Sequence, residues 1–349
     1  MLIFFLVLIG LSLLILAHEA SHFAAARWFQ LKIEEFGLGF PPRLWAKRKG
    51  ETEYSVNWLP FGGFVKIAGE NDRIQGDAGA LHNLPAAERR KYFPFQPAWK
   101  RSVVILAGVT ANFIAGWLLL SAVLWLGTPQ LLLVGGVQPG SPAAQADLRA
   151  GDVLQGFSQA QDFIDFTGRN RGQQLTIHFQ RDGEDRSVSL TPRVVTAPGE
   201  GAVGILIDEA GAPSRPFLAA LKDGLIETWQ ITKLVVAGFA TLVGSLVRHG
   251  QLAAGISGPV GIFAVAERTG GMGLIYLLQL FGLISVNLAV INLIPFPALD
   301  GGRFLFILVE KIKGSPIPYK VEAWANGIGF ALLILLLVAL TVRDVSQWL

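Results

Sequence analysis

Cysteine is missing altogether from this chain of 349 residues, so no disulfide supports the fold. Any bound metal would have to be held by histidine and carboxylate rather than by thiolate. Charge is scarce as well: Asp, Glu, Lys and Arg together make up 16% of the residues, against 52% hydrophobic ones. With a mean hydropathy of +0.47, that balance excludes an ordinary soluble domain and points to a protein that crosses a membrane several times. Neither sign of charge dominates, since 29 Lys and Arg face 26 Asp and Glu. The basic residues are not interleaved with aromatics into a patch, so no nucleic-acid partner is expected.

What the chain has in place of charge is long apolar runs. The seventeen residues before His18 carry no charged side chain, and Ser12 is their only hydroxyl. Ser102 to Ala146, Thr269 to Leu299 and Ala323 to Val342 are uncharged. Each is long enough to hold a membrane span of about 20 residues, which gives four spans and a bilayer as the first partner. Ala24-Ala25-Ala26 resembles a signal-peptide cleavage site. It follows charged residues instead of the apolar core, and no Lys or Arg precedes the run, so a retained first span is expected. Residues 27 to 101 carry thirteen Lys or Arg against eight Asp or Glu, which by the positive-inside rule assigns them to the cytoplasm.

At the far end of the first span stands His18-Glu19-Ala20-Ser21-His22. Residues four apart share a face of a helix, so His18 and His22 can offer two imidazole nitrogens to one zinc ion. Glu19 lies one position round the helix, in reach of a water beside the metal without being a ligand, and is the expected general base. The pattern is short and chance matches occur on soluble helices. Inside a span, however, ionisable side chains are costly, and a solvated charged face is excluded.

A second cluster ends the third span: Asn292-Leu293-Ile294-Pro295-Phe296-Pro297-Ala298-Leu299-Asp300-Gly301-Gly302. Pro295 and Pro297 break the helix there, which is tolerable at membrane depth only where protein or a polar cavity satisfies the freed carbonyls. Asp300 either caps a helix at the aqueous boundary or is a third metal ligand. With the N-terminus outside, His18 lies about 25 Å along the first helix. The third span runs in the same direction and brings Asp300 to the same side, which favours the ligand.

Between the spans, two further regions are expected. Lys32 to Phe36, Tyr54 to Trp58 and Gly63 to Ile67 read as short strands, with Pro60-Phe61-Gly62-Gly63 as a hairpin turn between the last two. Trp58, Leu59, Phe61 and Phe64 make that turn apolar, as suits a hairpin that dips into the membrane or, equally, one buried in a small cytoplasmic domain. Residues 70 to 98 read as loop, with His82 solvated. Thr128 to about Thr196 has the character of a water-soluble β module, with a hairpin around Asp182-Gly183 and a helix start at Ser141-Pro142. Gly140 to Ala144 and Leu148 to Leu154 resemble a bacterial PDZ domain, a module that binds peptide by β-augmentation. Asp147 departs from the glycine usual there, and a generic small β domain is the competing reading of this segment. Phe217 to Val247 reads as an amphipathic helix at the membrane surface, because its uncharged stretch is too short to span.

The expected fold is a polytopic α-helical membrane protein of four transmembrane helices, with a membrane-associated β-hairpin and an inserted extracytoplasmic PDZ-like α+β domain. Its expected order is a first span with the histidine pair (1–29), a cytoplasmic segment with the hairpin (30–101), a second span (102–127) and the PDZ-like domain (128–196). Extracytoplasmic or interfacial helices (197–271), a third span ending in Leu-Asp-Gly (272–302), a cytoplasmic loop (303–322) and a fourth span (323–349) follow.

Taken together, His18 to His22 and Asn292 to Gly301 resemble the signatures of the site-2 protease family of intramembrane zinc metalloproteases, and of its bacterial regulator-of-sigma-E protease branch. Weaker support comes from Gly37 to Phe40, from Ala107 to Phe113 and from Ser257 to Gly261. The resemblance implies cleavage of a substrate's transmembrane helix in regulated intramembrane proteolysis, the substrate being an anti-sigma factor or a signal-peptide remnant, in the bacterial inner membrane. It implies a reentrant loop whose edge, at Gly62, Gly63 and Phe64, pairs with the substrate. It also implies that Asn292, with Pro295 and Pro297 beside it, either contacts the unwound substrate backbone or supports the oxyanion, and that a substrate peptide can reach the PDZ-like domain. Two other readings compete: a non-enzymatic membrane PDZ scaffold with the histidines as a buried polar network, and a transporter with a broken helix, which leaves the histidine spacing unexplained.

Overall fold

The computed structural model describes residues 2–70, 85–181, 183–196, 200–250 and 258–346. His82 and Ser257 lie outside them. In chain order the elements are α1 (Leu2–Trp28), β1 (Ile33–Lys49), β2 (Thr52–Ile67), α2 (Ala98–Leu126), β3 (Thr128–Val137), β4 (Val153–Leu154), α3 (Ala160–Arg169), β5 (Leu175–Arg181), β6 (Glu184–Leu190), β7 (Ile205–Ala212), α4 (Phe217–His249), α5 (Pro259–Gly271), α6 (Leu274–Leu293), α7 (Asp300–Lys313) and α8 (Tyr319–Ser346), with single helical turns at Ala86–Arg89 and Pro142–Gln145. They form two compact units, one of Met1–Leu120, Gly224–Glu267 and Leu277–Leu349, the other of Ser121–Asp223 and Arg268–Tyr276.

In the first unit, α1, α2, α6 and α8 are the helices long and apolar enough to cross a membrane among the described residues, which makes this a multi-pass membrane protein. In lipid every backbone group must pair within its own segment, and an uninterrupted helix is how an apolar run meets that demand. Small residues bring these helices together. A Cβ on Gly116 would strike Val286, one on Gly282 would strike Leu120, and one on Gly10 would strike the ring of Phe281. Ser285 Oγ donates to the carbonyl of Asn112 at 2.8 Å, a second tie between α2 and α6. Helix α4 does not lie free of the bundle, for Ile231 and Val235 pack against Leu120, Val286 and Val290. At the start of α5, Asp344 of α8 accepts from the amides of Gly258 and Gly261, at 3.2 and 2.8 Å.

The sheet of this unit differs from the expected hairpin. β1 and β2 each fold back on themselves, giving limbs 33–38, 43–49, 52–57 and 63–67. Tyr54 pairs with Lys47 on one side and with Phe36 on the other, and Phe36 pairs in turn with Val65. The limb 33–38 therefore lies between 52–57 and 63–67, which the sequence reading had paired across Pro60–Gly63. The actual hairpin turn is at Gly50, with φ +66°. Local turn signals at 60–63 were real, and Gly62 has φ +74°. They could not reveal a third limb inserted from earlier in the chain. Glu35 on that middle limb binds the others: its Oε1 accepts from Arg43 at 2.9 Å and Ser55 at 2.6 Å, and its Oε2 lies 3.4 Å from Lys66 Nζ.

The second unit holds a five-stranded sheet in the order β6-β5-β4-β3-β7. Its core is Leu132, Val134, Phe163, Ile177, Phe179 and Leu190, with α3 packed on one face. The expected β module stopped at about 196, but the sheet continues to β7. That strand pairs with β3 from Thr128–Ala212 to Val137–Ile205. Gly127 (φ +72°) opens this strand pair and Gly211 (φ +112°) sits within β7, where the pairing register shifts. Asp147 stands at φ +59°, the left-handed conformation usual for glycine, and a salt bridge to Arg149 (3.0 Å) and a contact with Arg181 (3.2 Å) hold it there.

Candidate metal centre

Three elements of the first unit deliver the site. Helix α1 presents His18 and His22 one turn apart, and their Nε2 atoms lie 3.1 Å from each other. Asp300 opens α7, and its Oδ2 is 3.1 Å from His18 Nε2 and 3.4 Å from His22 Nε2. All three ligand atoms fall within 4.8 Å of one another. Both histidines are buried, and Asp300 Oδ2 has no hydrogen-bond donor aligned with it.

Helix α2 supplies the surroundings. His22 Nδ1 lies 2.8 Å from the carbonyl of Val104. A carbonyl only accepts, so Nδ1 carries the proton and Nε2 presents a lone pair. His18 Nδ1 lies 3.2 Å from the amide of Asn112, whose Oδ1 has no partner in this orientation. The two orientations of an amide differ only by a half-turn, and the other one gives His18 the same tautomer as His22. Between these contacts Gly108 faces the imidazoles. A Cβ there would fall within 2.6 Å of His18 Nε2 and nearer still to His22 Nε2. Two neutral imidazole nitrogens and a carboxylate oxygen, converging beside a glycine that leaves room, fit a three-ligand catalytic zinc site.

A cavity of about 300 Å³ opens beside the cluster, lined by His18, Glu19, Asn112, Asn292, Leu299 and Asp300 among others. Glu19 and Asn292 thus line the same cavity as His18 and Asp300. The segment between α6 and α7 is shaped by close backbone contact. A Cβ on Gly301 would strike the carbonyls of Leu293 and Ile294, and one on Gly302 that of Phe296. Ala298 takes φ +75°, and its amide donates to Asn326 Oδ1 of α8 at 2.9 Å. Pro297 packs on Gly329 of α8 rather than lining the cavity, and Pro295 does not line it either. A Cβ on Gly62 would strike Ile15 of α1, which lines the cavity, and one on Gly63 would come within 3.3 Å of Leu16 Cδ1. Phe64 lies over Gly37 and stacks on Phe40, with ring centroids 6.4 Å apart.

Sequence reasoning passed over three participants, Val104, Asn326 and Arg303, and reached Gly108 only as part of the resemblance over Ala107 to Phe113. Arg303 lines the cavity one helical turn after Asp300, and Glu70 holds its guanidinium at 2.8 Å. Its spacing from Asp300, three residues along a helix, was the available signal. Asn112 hydrogen-bonds within the bundle, its partners being His18 and, through its carbonyl, Ser285.

The profile of peptidase family M50 matches residues 6–336. The zinc metalloprotease RasP of Geobacillus kaustophilus is 27% identical, over 96% of this chain and 96% of its own. The regulator of sigma-W protease RasP of Bacillus subtilis is 26% identical over the same shares. A relative in Nostoc sp. (strain PCC 7120) is 31% identical over 97% of this chain and 94% of its own.

Proposed function

The chain belongs to peptidase family M50, and from that premise we propose that it is an intramembrane zinc metalloprotease in which His18, His22 and Asp300 hold the metal and Glu19 is the general base. One observation carries the reading: the three ligand atoms lie within 4.8 Å of one another, two of them on a helix long and apolar enough to cross a membrane. Beside them is a cavity that Glu19 and Asn292 line. When bound, zinc supplies Lewis acidity that activates water near neutral pH. Glu19 takes the proton of the attacking water and hands it to the leaving amine. The carbonyl of Val104 and the amide of Asn112 hold the imidazoles in their ligating tautomers. Asn292 hydrogen-bonds the opened substrate backbone.

A peptide bond inside a helix is shielded by the helix's own hydrogen bonds, so the substrate must unwind locally. The limb 63–67 is an outer limb of its sheet, and it reaches α1 one turn from His18. Pairing with the edge at Gly62, Gly63 and Phe64 replaces the bonds the substrate loses. Pro295 and Pro297 keep the neighbouring backbone open. The second unit serves as the PDZ-like gate: β7 is an edge strand beside α3, the layout that admits an extended peptide as a further strand. In this reading both termini and that unit lie outside the bacterial inner membrane, and residues 30–100 lie inside. The substrate is a single-pass membrane protein such as an anti-sigma factor, in keeping with the sigma-W regulator named among the relatives.

The test separates base from ligand. Glu19→Gln cannot accept the proton but leaves the ligands in place, so the purified protein should keep about one zinc per chain. Its cleavage of a single-pass substrate in reconstituted bilayers should fall about 10²-fold or more. Asp300→Asn should lose metal and activity together. Loss of zinc from Glu19→Gln, or full zinc in Asp300→Asn, overturns the assignment.

A further inference from the structure

The sheet of β1 and β2 can be placed in depth against α1, which serves as a ruler. Ser12 Oγ donates to the carbonyl of Pro60 at 2.5 Å, and Gly62 and Gly63 abut Ile15 and Leu16. Lower on the helix, Phe23 packs against Phe36 and Tyr54, with ring centroids 5.0 and 6.1 Å away. From Ser12 to Phe23 is a rise of about 16 Å at 1.5 Å per residue. The exposed Phe40, Trp45, Trp58 and Leu59 therefore stand at the height of the apolar part of α1.

Lys47 pairs with Tyr54 and so stands at the height of Phe23. Arg48 and Lys49 continue the limb by up to about 7 Å at 3.3 Å per residue. That carries them to the level at which α1 ends in Arg27 and Trp28. The end of α1 is marked independently as an interface. Trp28 is 84% exposed and Trp99 59% exposed. Lys100 lies over the rings of Phe29 and Trp99, a belt of aromatic and basic side chains of the kind found at headgroup level.

Lys47, Arg48 and Lys49 are exposed, and among the described residues none has a carboxylate partner. The nearby acids are engaged elsewhere: Glu51 with Lys91 at 2.8 Å, Glu53 with Arg43 at 2.5 Å. A run of three free cations thus continues an apolar surface at the depth of lipid phosphates. We propose that Lys47, Arg48 and Lys49 form a binding site for anionic phospholipid headgroups, which fixes the depth at which the sheet sits beside α1. Apolar side chains above hold the sheet in hydrocarbon, and the cations below bind the phosphodiesters of the same leaflet. The inference does not rest on the peptidase reading.

Native mass spectrometry of the full-length protein in detergent, titrated with phosphatidylglycerol or phosphatidylcholine, tests it. The triple variant Lys47→Gln/Arg48→Gln/Lys49→Gln should bind phosphatidylglycerol at least about tenfold more weakly and phosphatidylcholine unchanged. The charge-conserving Lys47→Arg/Arg48→Lys/Lys49→Arg should bind like the parent. Arg169→Gln/Arg171→Gln, in the other unit, should also bind like the parent, and inorganic phosphate at millimolar concentration should not displace the lipid. Unchanged phosphatidylglycerol affinity in the triple variant overturns the site. So does an equal loss in the charge-conserving or distant variant, and displacement by phosphate alone would make it a small-anion site instead.

Discussion

The protein's two sheets obey opposite rules. In the five-stranded sheet Leu132, Val134, Ile177, Phe179 and Leu190 are buried against Phe163, and the charged side chains of β6 and β7 face out. In the four-limbed sheet the buried side chains include Glu35, Ser55 and Asn57, while Phe40, Leu44, Trp45, Trp58 and Leu59 are exposed. The helices beside it show a related trend: His18, His22 and Asn112 are buried, while Phe4, Phe5, Leu13, Leu118 and Trp125 are exposed. A sheet turned inside out in this way is stable only if its surroundings are apolar. Apolar burial, present at Ile33, Ile67, Val104 and Ile105, counts for less against lipid than against water, and close backbone approach and satisfied polar groups carry more of the unit's stability.

Crowding the polar interior of the first unit should accordingly have the largest effect. Gly108→Ala adds one methyl group, which in a soluble helix is neutral or stabilising. Here it meets both Nε2 atoms, so metal content should fall to a small fraction and cleavage with it by about 10²-fold or more. Circular dichroism should show the helices retained. A Gly108→Ala protein that carries full zinc would mean that the imidazoles can move aside, and that the glycine only eases helix packing.

A cavity in the other core is the next largest. Phe163→Ala should destabilise the second unit by about 3–5 kcal/mol, because a large buried ring leaves a hole that the surrounding sheet cannot close. If the two units are held by different forces, zinc content should not change. Protease sensitivity should rise within residues 128–212 and nowhere else. Loss of zinc in this variant would break the comparison, since it would make one cooperative body of the two units.

How much of this was legible beforehand follows the same division. The four spans and both chemical clusters could be read directly, because lipid demands uncharged helices and makes an ionisable residue within one conspicuous. His18, His22 and Asp300 lie together in the structure. The hairpin of β5 and β6 was equally plain from its alternation. What escaped was non-local. No pattern within 33–67 says that 33–38 inserts between two later limbs, and β7 pairs with β3 from more than sixty residues away. The roles of Gly108 and Val104 at the site escaped for another reason: a glycine contributes by having no side chain and a carbonyl is common to every residue, so neither carries a chemical signature.

The smallest effect should come from titrating a polar group on the outside of the second unit. The guanidinium groups of Arg149 and then Arg181 hold the Asp147 carboxyl below its usual range. A carboxylate whose folded pKa is depressed stabilises above its ordinary value near 3.9, and that contribution fades as the pH falls through the folded value. Wild type should therefore lose slightly more thermal stability than Asp147→Asn between pH 6 and pH 3. Because the group is exposed and screened, the difference in melting midpoint of the second unit should be about 2 °C or less. The asparagine keeps the left-handed backbone at this position, so what is measured is charge and not conformation. An identical acid response in the two proteins would show that the arginines merely accompany Asp147. A loss as large as that of Phe163→Ala would show instead that the second unit also relies on a polar interaction, and the contrast between the sheets would fail.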